Sequence, residues 1–276
     1  MNESAGLEGR VAVITGAGRG IGRAAALELA RAGAAVVVAA RHEAEVRETA
    51  DKVQRAGGRA LAVSADVSDW TSVQRLADRT REAFGPADII VANAGVVEPA
   101  GDAWSVAPEA WAGNVAVNLT GAYFTWRAFA QAPRRNKGGV AIFVSSGAAS
   151  HVIPGWSAYC AAKAGLEHFV RVAAEEADAQ GLDVRLHAVR PGIVDTAMQE
   201  EVRGMSPERF RAVERFRGFH QKGWLRPPGE PAALIRWLCT PMAADLHGRV
   251  ADIDDPAIRK RMAFDLGLPL FKGRGE

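Results

Sequence analysis

Short apolar runs alternate with longer amphipathic stretches along most of the chain. Residues 11–14, 36–40, 60–64 and 89–92 are compact apolar runs, and each predicts a strand buried on both faces. Between them, residues 21–32, about 43–56, and 70–84 carry apolar side chains at helical spacing. The rhythm continues with a long helix expected over 111–131, a strand over 140–144 and a helix over 158–179. A strand over 184–189 then runs into Arg190-Pro191-Gly192. Strand and helix in strict turn imply an α/β fold, a Rossmann-type doubly wound parallel sheet of about seven strands with helices on both faces. No Pro/Gly/Ser-rich hinge, repeat or low-complexity tract interrupts the pattern, so residues 1–276 are expected to form a single domain. Two regions depart from it. Residues 195–228 are polar and rich in Arg and Phe, which suggests a mobile helical lid over a site. Residues 254–276 have no clear place in a sheet, and are expected to be an oligomer contact or a loose tail.

Composition narrows the function classes. Hydrophobic residues make up 48% and charged residues 24%, enough apolar material for a large core. The formal net charge of +2 gives no basic stripe for a nucleic acid, and the cluster of Arg134, Arg135 and Lys137 reads as a solvated turn. Cys160 and Cys239 form neither a disulfide framework nor a metal pattern, and His151 and His220 lack paired ligands, so no metal is expected. The N-terminus has no apolar core of a signal peptide, and no apolar run approaches the ~20 residues that span a bilayer. A cytoplasmic protein without membrane partners is the expectation.

The turn after the first strand reads Thr15-Gly16-Ala17-Gly18-Arg19-Gly20-Ile21-Gly22. Glycines there permit a tight turn and let backbone N–H groups reach a pyrophosphate at a helix N-terminus, while Gly22 allows close helix–sheet packing. The spacing departs from G-x-G-x-x-G and contains T-G-x-x-x-G-x-G. Further along lie Asp66-Val67 after the third strand, Asn93-Ala94-Gly95 after the fourth, and Asn118 in NLTGAYF. Asp66 equally fits a helix N-cap, since helix-like sequence follows it. Ser146 follows the end of the fifth strand, with Ser145 beside it as a backbone-satisfying residue. Tyr159 and Lys163 lie four apart on one helix face, and an ammonium there would lower a phenol's pKa from about 10.

In order and spacing, these motifs together with Arg190-Pro191-Gly192-Ile193-Val194-Asp195-Thr196 resemble the short-chain dehydrogenase/reductase family over about residues 9–252. The resemblance implies an oxidoreductase that interconverts a small-molecule carbonyl compound and its alcohol. It implies Tyr159 as acid or base, Lys163 on the nicotinamide ribose, Ser146 orienting the carbonyl and Asn118 supporting a water relay. Cofactor contacts fall to Gly16, Gly18, Arg19, Gly20, Ile21, Gly22, Arg41, Asp66, Val67, Asn93, Ala94, Gly95, Pro191, Gly192, Val194 and Thr196, besides Tyr159 and Lys163. Ala40 stands where an NAD-specific relative carries Asp, and Arg19 and Arg41 flank that position, so NADP(H) is expected over NAD(H), which remains possible. His151, Trp156 and Trp224 are candidates for an aromatic substrate pocket. Residues 191–199 and the Asp252-Ile253-Asp254-Asp255-Pro256 ending are similar to the sepiapterin and benzil reductase branch, where Asp252 would face substrate. Relatives pair through helices matching 111–131 and 158–179, which implies a homodimer or homotetramer. The alternative is a dinucleotide-binding regulatory protein without turnover, which would have no need of Ser146, Tyr159 and Lys163.

Overall fold

In the computed structural model, residues 6–130 and 138–271 are described; Arg134, Arg135 and Lys137 lie outside them. Seven strands form one parallel sheet: β1 (Val11–Thr15), β2 (Ala35–Ala40), β3 (Arg59–Ser64), β4 (Ile89–Ala92), β5 (Gly139–Val144), β6 (Val184–Arg190) and β7 (Val250–Asp252). The spatial order is β3-β2-β1-β4-β5-β6-β7, with every neighbouring pair parallel. Order reverses between β1 and β4, and in such sheets the crevice beyond the strand C-termini at the reversal is where ligands bind.

The pleat explains why the strands read as unbroken apolar runs. Ile14, Val36, Val38, Val91 and Ile142 point to one face, and Val13, Val37, Ile90 and Phe143 to the other; both sets are buried in separate clusters. The first face is covered by α1 (Gly20–Arg31), α2 (Glu43–Arg55) and α9 (Gly229–Leu238). The second is covered by α3 (Trp70–Phe84), α5 (Gly121–Ala130) and α6 (Ser157–Ala179). The long helix expected over 111–131 is α4 (Pro108–Val115) and α5 joined through a π-helical turn at Ala116–Thr120. The extra residue of that turn is invisible to a pattern count, and such turns recur at functional sites.

The two irregular regions are more ordered than their composition suggests. Residues 195–228 form α7 (Ala197–Gly204) and α8 (Val213–Gln221). Val202, Met205, Phe210 and Val213 of this segment are buried against Val97, Trp156 and Tyr159. Two ion pairs join it to the loop after β4, Arg209–Glu98 at 2.8 Å and Arg211–Asp102 at 3.0 Å. The described part of the C-terminal stretch, residues 254–271, includes a helix. That helix is α10 (Pro256–Leu266), capped by the Asp255 side chain on Ala257 N, and it buries Ile258 and Met262 in the first core. The Trp237 indole donates to Asp265 at 2.8 Å, which joins α10 to α9.

Candidate active site

One cavity of about 380 Å³ lies beyond the C-terminal ends of the strands, and it runs from the glycine turn to the α7–α8 segment. Nearly all the expected site residues meet there. The turn at β1–α1 contributes Gly16, Gly18, Arg19, Gly20 and Ile21; the ends of β2 and β3 contribute Arg41, Asp66 and Val67. Asn93, Ala94 and Gly95 come from the end of β4, and Pro191, Gly192, Val194 and Thr196 follow β6.

The glycine turn is shaped by contacts that forbid side chains. A Cβ on Gly16 would stand 2.8 Å from Ala94 Cα, and one on Gly22 would stand 2.4 Å from Gly16 O. Gly22 therefore acts by packing and does not line the cavity. Asn93 Nδ2 donates to Thr15 O (2.9 Å) and Gly16 O (3.2 Å), while Thr15 Oγ1 accepts from Asn93 N at 3.1 Å, so the β1 and β4 ends are stitched together under the turn. The N-cap of α1, Arg19, supplies no side-chain cap, which leaves the first helical N–H groups open toward the cavity. An anionic pyrophosphate suits that cradle.

Asp66 is not a helix N-cap. Its carboxylate accepts from Ser68 N (2.9 Å) and Ser68 Oγ (2.6 Å), and α3 is capped instead by Asp69, whose side chain accepts from Thr71 N. Asn118 is fully buried in the π-helical turn. Its Oδ1 accepts from Val96 N at 3.2 Å, and its Nδ2 donates to Val96 O at 2.8 Å. The side chain therefore holds the loop after β4, close to Gly95 and Lys163: a Cβ on Gly95 would stand 2.8 Å from Asn118 Oδ1 and 3.6 Å from Lys163 Nζ.

The other polar groups sit at the strand ends and on α6. Ser146 follows β5 and lines the cavity with Tyr159, and its hydroxyl accepts from Ala148 N at 3.2 Å. Tyr159 is 7% exposed, and burial pushes its pKa up to about 12 against the lowering effect of Ser146. The expected lowering by Lys163 does not prevail. The Lys163 ammonium donates to Val144 O at 2.8 Å and stands 5.7 Å from the Tyr159 ring centre, while its own burial lowers it to about 8. Desolvation thus dominates both groups.

The end of the cavity near the α7–α8 segment has an aromatic wall. Trp156 stacks on Phe210 (4.7 Å between centroids) and meets Tyr159 edge-on at 5.3 Å, so it lines the cavity and buttresses the phenol. His151 and Asp252 line the cavity as well, and burial raises the Asp252 pKa while Arg190 lowers it. Trp224 does not line it. It stacks at 6.2 Å on Phe219, which is the lining residue, under Lys222. Glu45, Gln199, Arg215 and Phe216 also line the cavity wall; their helical spacing is clear in the sequence, but no local feature marks which way they face.

The sequence model of the family described as "short chain dehydrogenase" matches residues 10–206. The chain belongs to the short-chain dehydrogenase/reductase family. It is 37% identical over 249 residues to a cis-4-hydroxycyclohexanecarboxylate dehydrogenase of Sinomonas cyclohexanicum, covering 89% of this chain and 95% of that protein. It is 33% identical over 265 residues to a versicolorin reductase of Emericella nidulans, covering 92% and 97%. A crystal structure of a short-chain type dehydrogenase/reductase from Mycobacterium marinum superposes with a TM-score of 0.81 at 28% identity, covering 91% of this chain and 96% of that one. Members of this family bind a nicotinamide dinucleotide and act on alcohol and carbonyl groups, and the glycine cradle, open helix terminus and Ser–Tyr–Lys set of this chain fit such a cofactor. Among the described residues, no helix is long and apolar enough to cross a membrane.

Proposed function

We propose that this short-chain dehydrogenase/reductase reduces a ring-bearing or otherwise bulky ketone to its secondary alcohol and prefers NADP(H). The observation that carries this reading is the meeting of the Ser146 hydroxyl, the Tyr159 phenol and the Lys163 ammonium in a cavity continuous with the glycine cradle. A nicotinamide dinucleotide, when bound, supplies the hydride. The protein holds and protonates the substrate oxygen. Ser146 donates a hydrogen bond to that oxygen, and Tyr159 delivers the proton. With its pKa raised to about 12, the Tyr159 phenol carries at neutral pH the proton that ketone reduction consumes. Lys163 stabilises the phenolate left behind. Asn118 acts through the loop it fixes beside Gly95.

Gly16, Gly18 and Gly20 with the N-terminus of α1 would hold the pyrophosphate, Asp66 and Val67 would border the adenine, and Asn93, Ala94 and Gly95 the adjoining ribose. Pro191, Gly192, Val194 and Thr196 would border the nicotinamide. Ala40 leaves room for a 2′-phosphate that Arg19 and Arg41 can bind. Trp156, Phe216 and Phe219 favour a planar or cyclic substrate, in keeping with the hydroxycyclohexanecarboxylate named for one relative. The α7–α8 segment serves as a lid that excludes water during the reaction. We read the protein as a cytoplasmic homo-oligomer. The test is a panel of cyclic ketones assayed by loss of reduced-nicotinamide absorbance. Turnover with NADPH is expected on at least one member. Tight cofactor binding with no turnover across the panel would favour the regulatory alternative.

A further inference from the structure

The α6 helix carries Tyr159, Lys163 and Glu167 at successive four-residue steps, and so on one face. The first two line the cavity; the third does not. Glu167 is only 3% exposed, yet both of its oxygens are occupied. Oε1 accepts from Ser145 Oγ and from Arg190 Nε, each at 2.8 Å, and Oε2 accepts from Arg190 Nη2 at 2.8 Å. Arg171, further along α6, adds a weaker contact at 4.0 Å from the solvent side.

The partners occupy telling positions. Ser145 precedes Ser146 at the end of β5, and Arg190 ends β6 immediately before Pro191-Gly192. The same guanidinium reaches toward β7, with Nη1 3.8 Å from Asp252 Oδ2 on the cavity wall. One buried carboxylate thus ties the helix bearing Tyr159 and Lys163 to the ends of β5 and β6, and Arg190 extends the link to β7. A carboxylate in the interior destabilises the fold unless it is fully paired, and an apolar residue would fill the same space at less cost. Positioning gives a reason for its presence.

We propose that Glu167 is a positioning residue for catalysis. Through Ser145 and Arg190 it fixes Ser146 and the Pro191-Gly192 turn relative to Tyr159. The proposal rests on the oxidoreductase reading. Misplacement of reacting groups by about 1 Å can lower a rate by about a hundredfold, so a partial loosening is expected to cost at least about tenfold in kcat. The adenosine end of the cofactor site lies away from this cluster, so cofactor KM should change by less than about threefold.

The experiment compares Glu167→Gln, Arg190→Lys and the double variant in kcat and KM, with thermal unfolding as the control for folding. Each single variant should lose kcat with little change in cofactor KM. Arg190→Lys should lose it although charge is retained, because an ammonium cannot form the two-pronged pair. The double variant should be no worse than the poorer single one, since both changes break one unit. A folded Glu167→Gln enzyme with kcat within about twofold of wild type, or losses that multiply in the double variant, would overturn the proposal. If Glu167→Gln does not fold, Arg190→Lys alone decides: normal kcat in that variant overturns it. Should the wild type turn over no ketone, the oxidoreductase reading fails separately. Hydrogen exchange then decides: faster exchange in Glu167→Gln at both 144–147 and 190–194 supports the positioning role, and unchanged exchange overturns it.

Discussion

Replacing Arg19 and Arg41 should remove the proposed preference for NADPH without removing cofactor binding. Arg19 is the N-cap of α1 and Arg41 follows β2; both are exposed, and both line the cavity beside Ala40. Neither guanidinium makes a hydrogen bond or ion pair with a described residue, so both are available to a ligand phosphate. A charge-assisted hydrogen bond contributes about 1.5–3 kcal/mol, and exposure places each arginine at the lower end. Each is therefore expected to contribute about tenfold in affinity. Glu45 opposes them. Its carboxylate lines the same end of the cavity, where a Cβ on Gly18 would stand 2.6 Å from Glu45 Oε2. The expected wild-type preference for NADPH in kcat/KM is thus between about tenfold and a hundredfold. Arg19→Ala with Arg41→Ala should erase it and leave the NADH value within about threefold of wild type. Ala40→Asp with Arg41→Ser should invert it, because a carboxylate there accepts from a ribose hydroxyl and repels phosphate. The assay is the ratio of kcat/KM for the two cofactors with one ketone. A wild-type ratio favouring NADH, or an equal loss for both cofactors in the double variant, would refute the reasoning.

Other expectations follow from burial. Lys163, lowered to about 8, loses its charge as pH rises through that value, so ketone reduction should fall on the alkaline side; a flat profile of kcat/KM there would contradict its role. His187 is fully buried in β6, and burial lowers its pKa to about 4, against 6.5 for the free side chain. The unfolded chain then binds a proton that the folded one does not, so this stabilisation is complete above pH 6.5 and is lost as pH falls toward about 4, by about 3 kcal/mol. Urea unfolding of His187→Gln should show a weaker acid dependence than wild type, and an identical one would remove His187 from the account. Trp111, Tyr123 and Val172 are exposed on α4, α5 and α6, the helices proposed to pair. Light scattering should give a dimer or tetramer, and a monomer would exclude that use of the face.

Strand and helix positions were legible because a sheet buried on both sides leaves little freedom in residue type. Ile142 and Phe143 face opposite cores, yet both must be apolar. The glycine turn and the Ser146–Tyr159–Lys163 set were legible because their spacings are fixed by backbone geometry. What depends on depth was not. The Tyr159–Lys163 spacing predicts a lowered phenol pKa, whereas burial of both residues reverses the sign. Phe210 lies between Arg209 and Arg211, which hide its burial against Trp156 in a polar-looking segment. Ile258 and Met262 are hidden in the same way by Arg259-Lys260-Arg261, although their four-residue spacing was the available signal for α10. Glu167 had such a signal as well, one helical step beyond Lys163. Its partner Arg190 is distant in sequence, and nothing local indicates that the two meet.

The central claim is that Tyr159 donates the proton in a reaction Ser146 and Lys163 organise. Tyr159→Phe keeps the ring that packs on Trp156 and removes only the hydroxyl. Single-turnover ketone reduction with saturating NADPH, alongside cofactor affinity by fluorescence titration, tests that claim most directly. The account predicts a rate lower by about a hundredfold or more with cofactor affinity within about threefold of wild type. A folded Tyr159→Phe enzyme that reduces the ketone at a near-normal rate would contradict it.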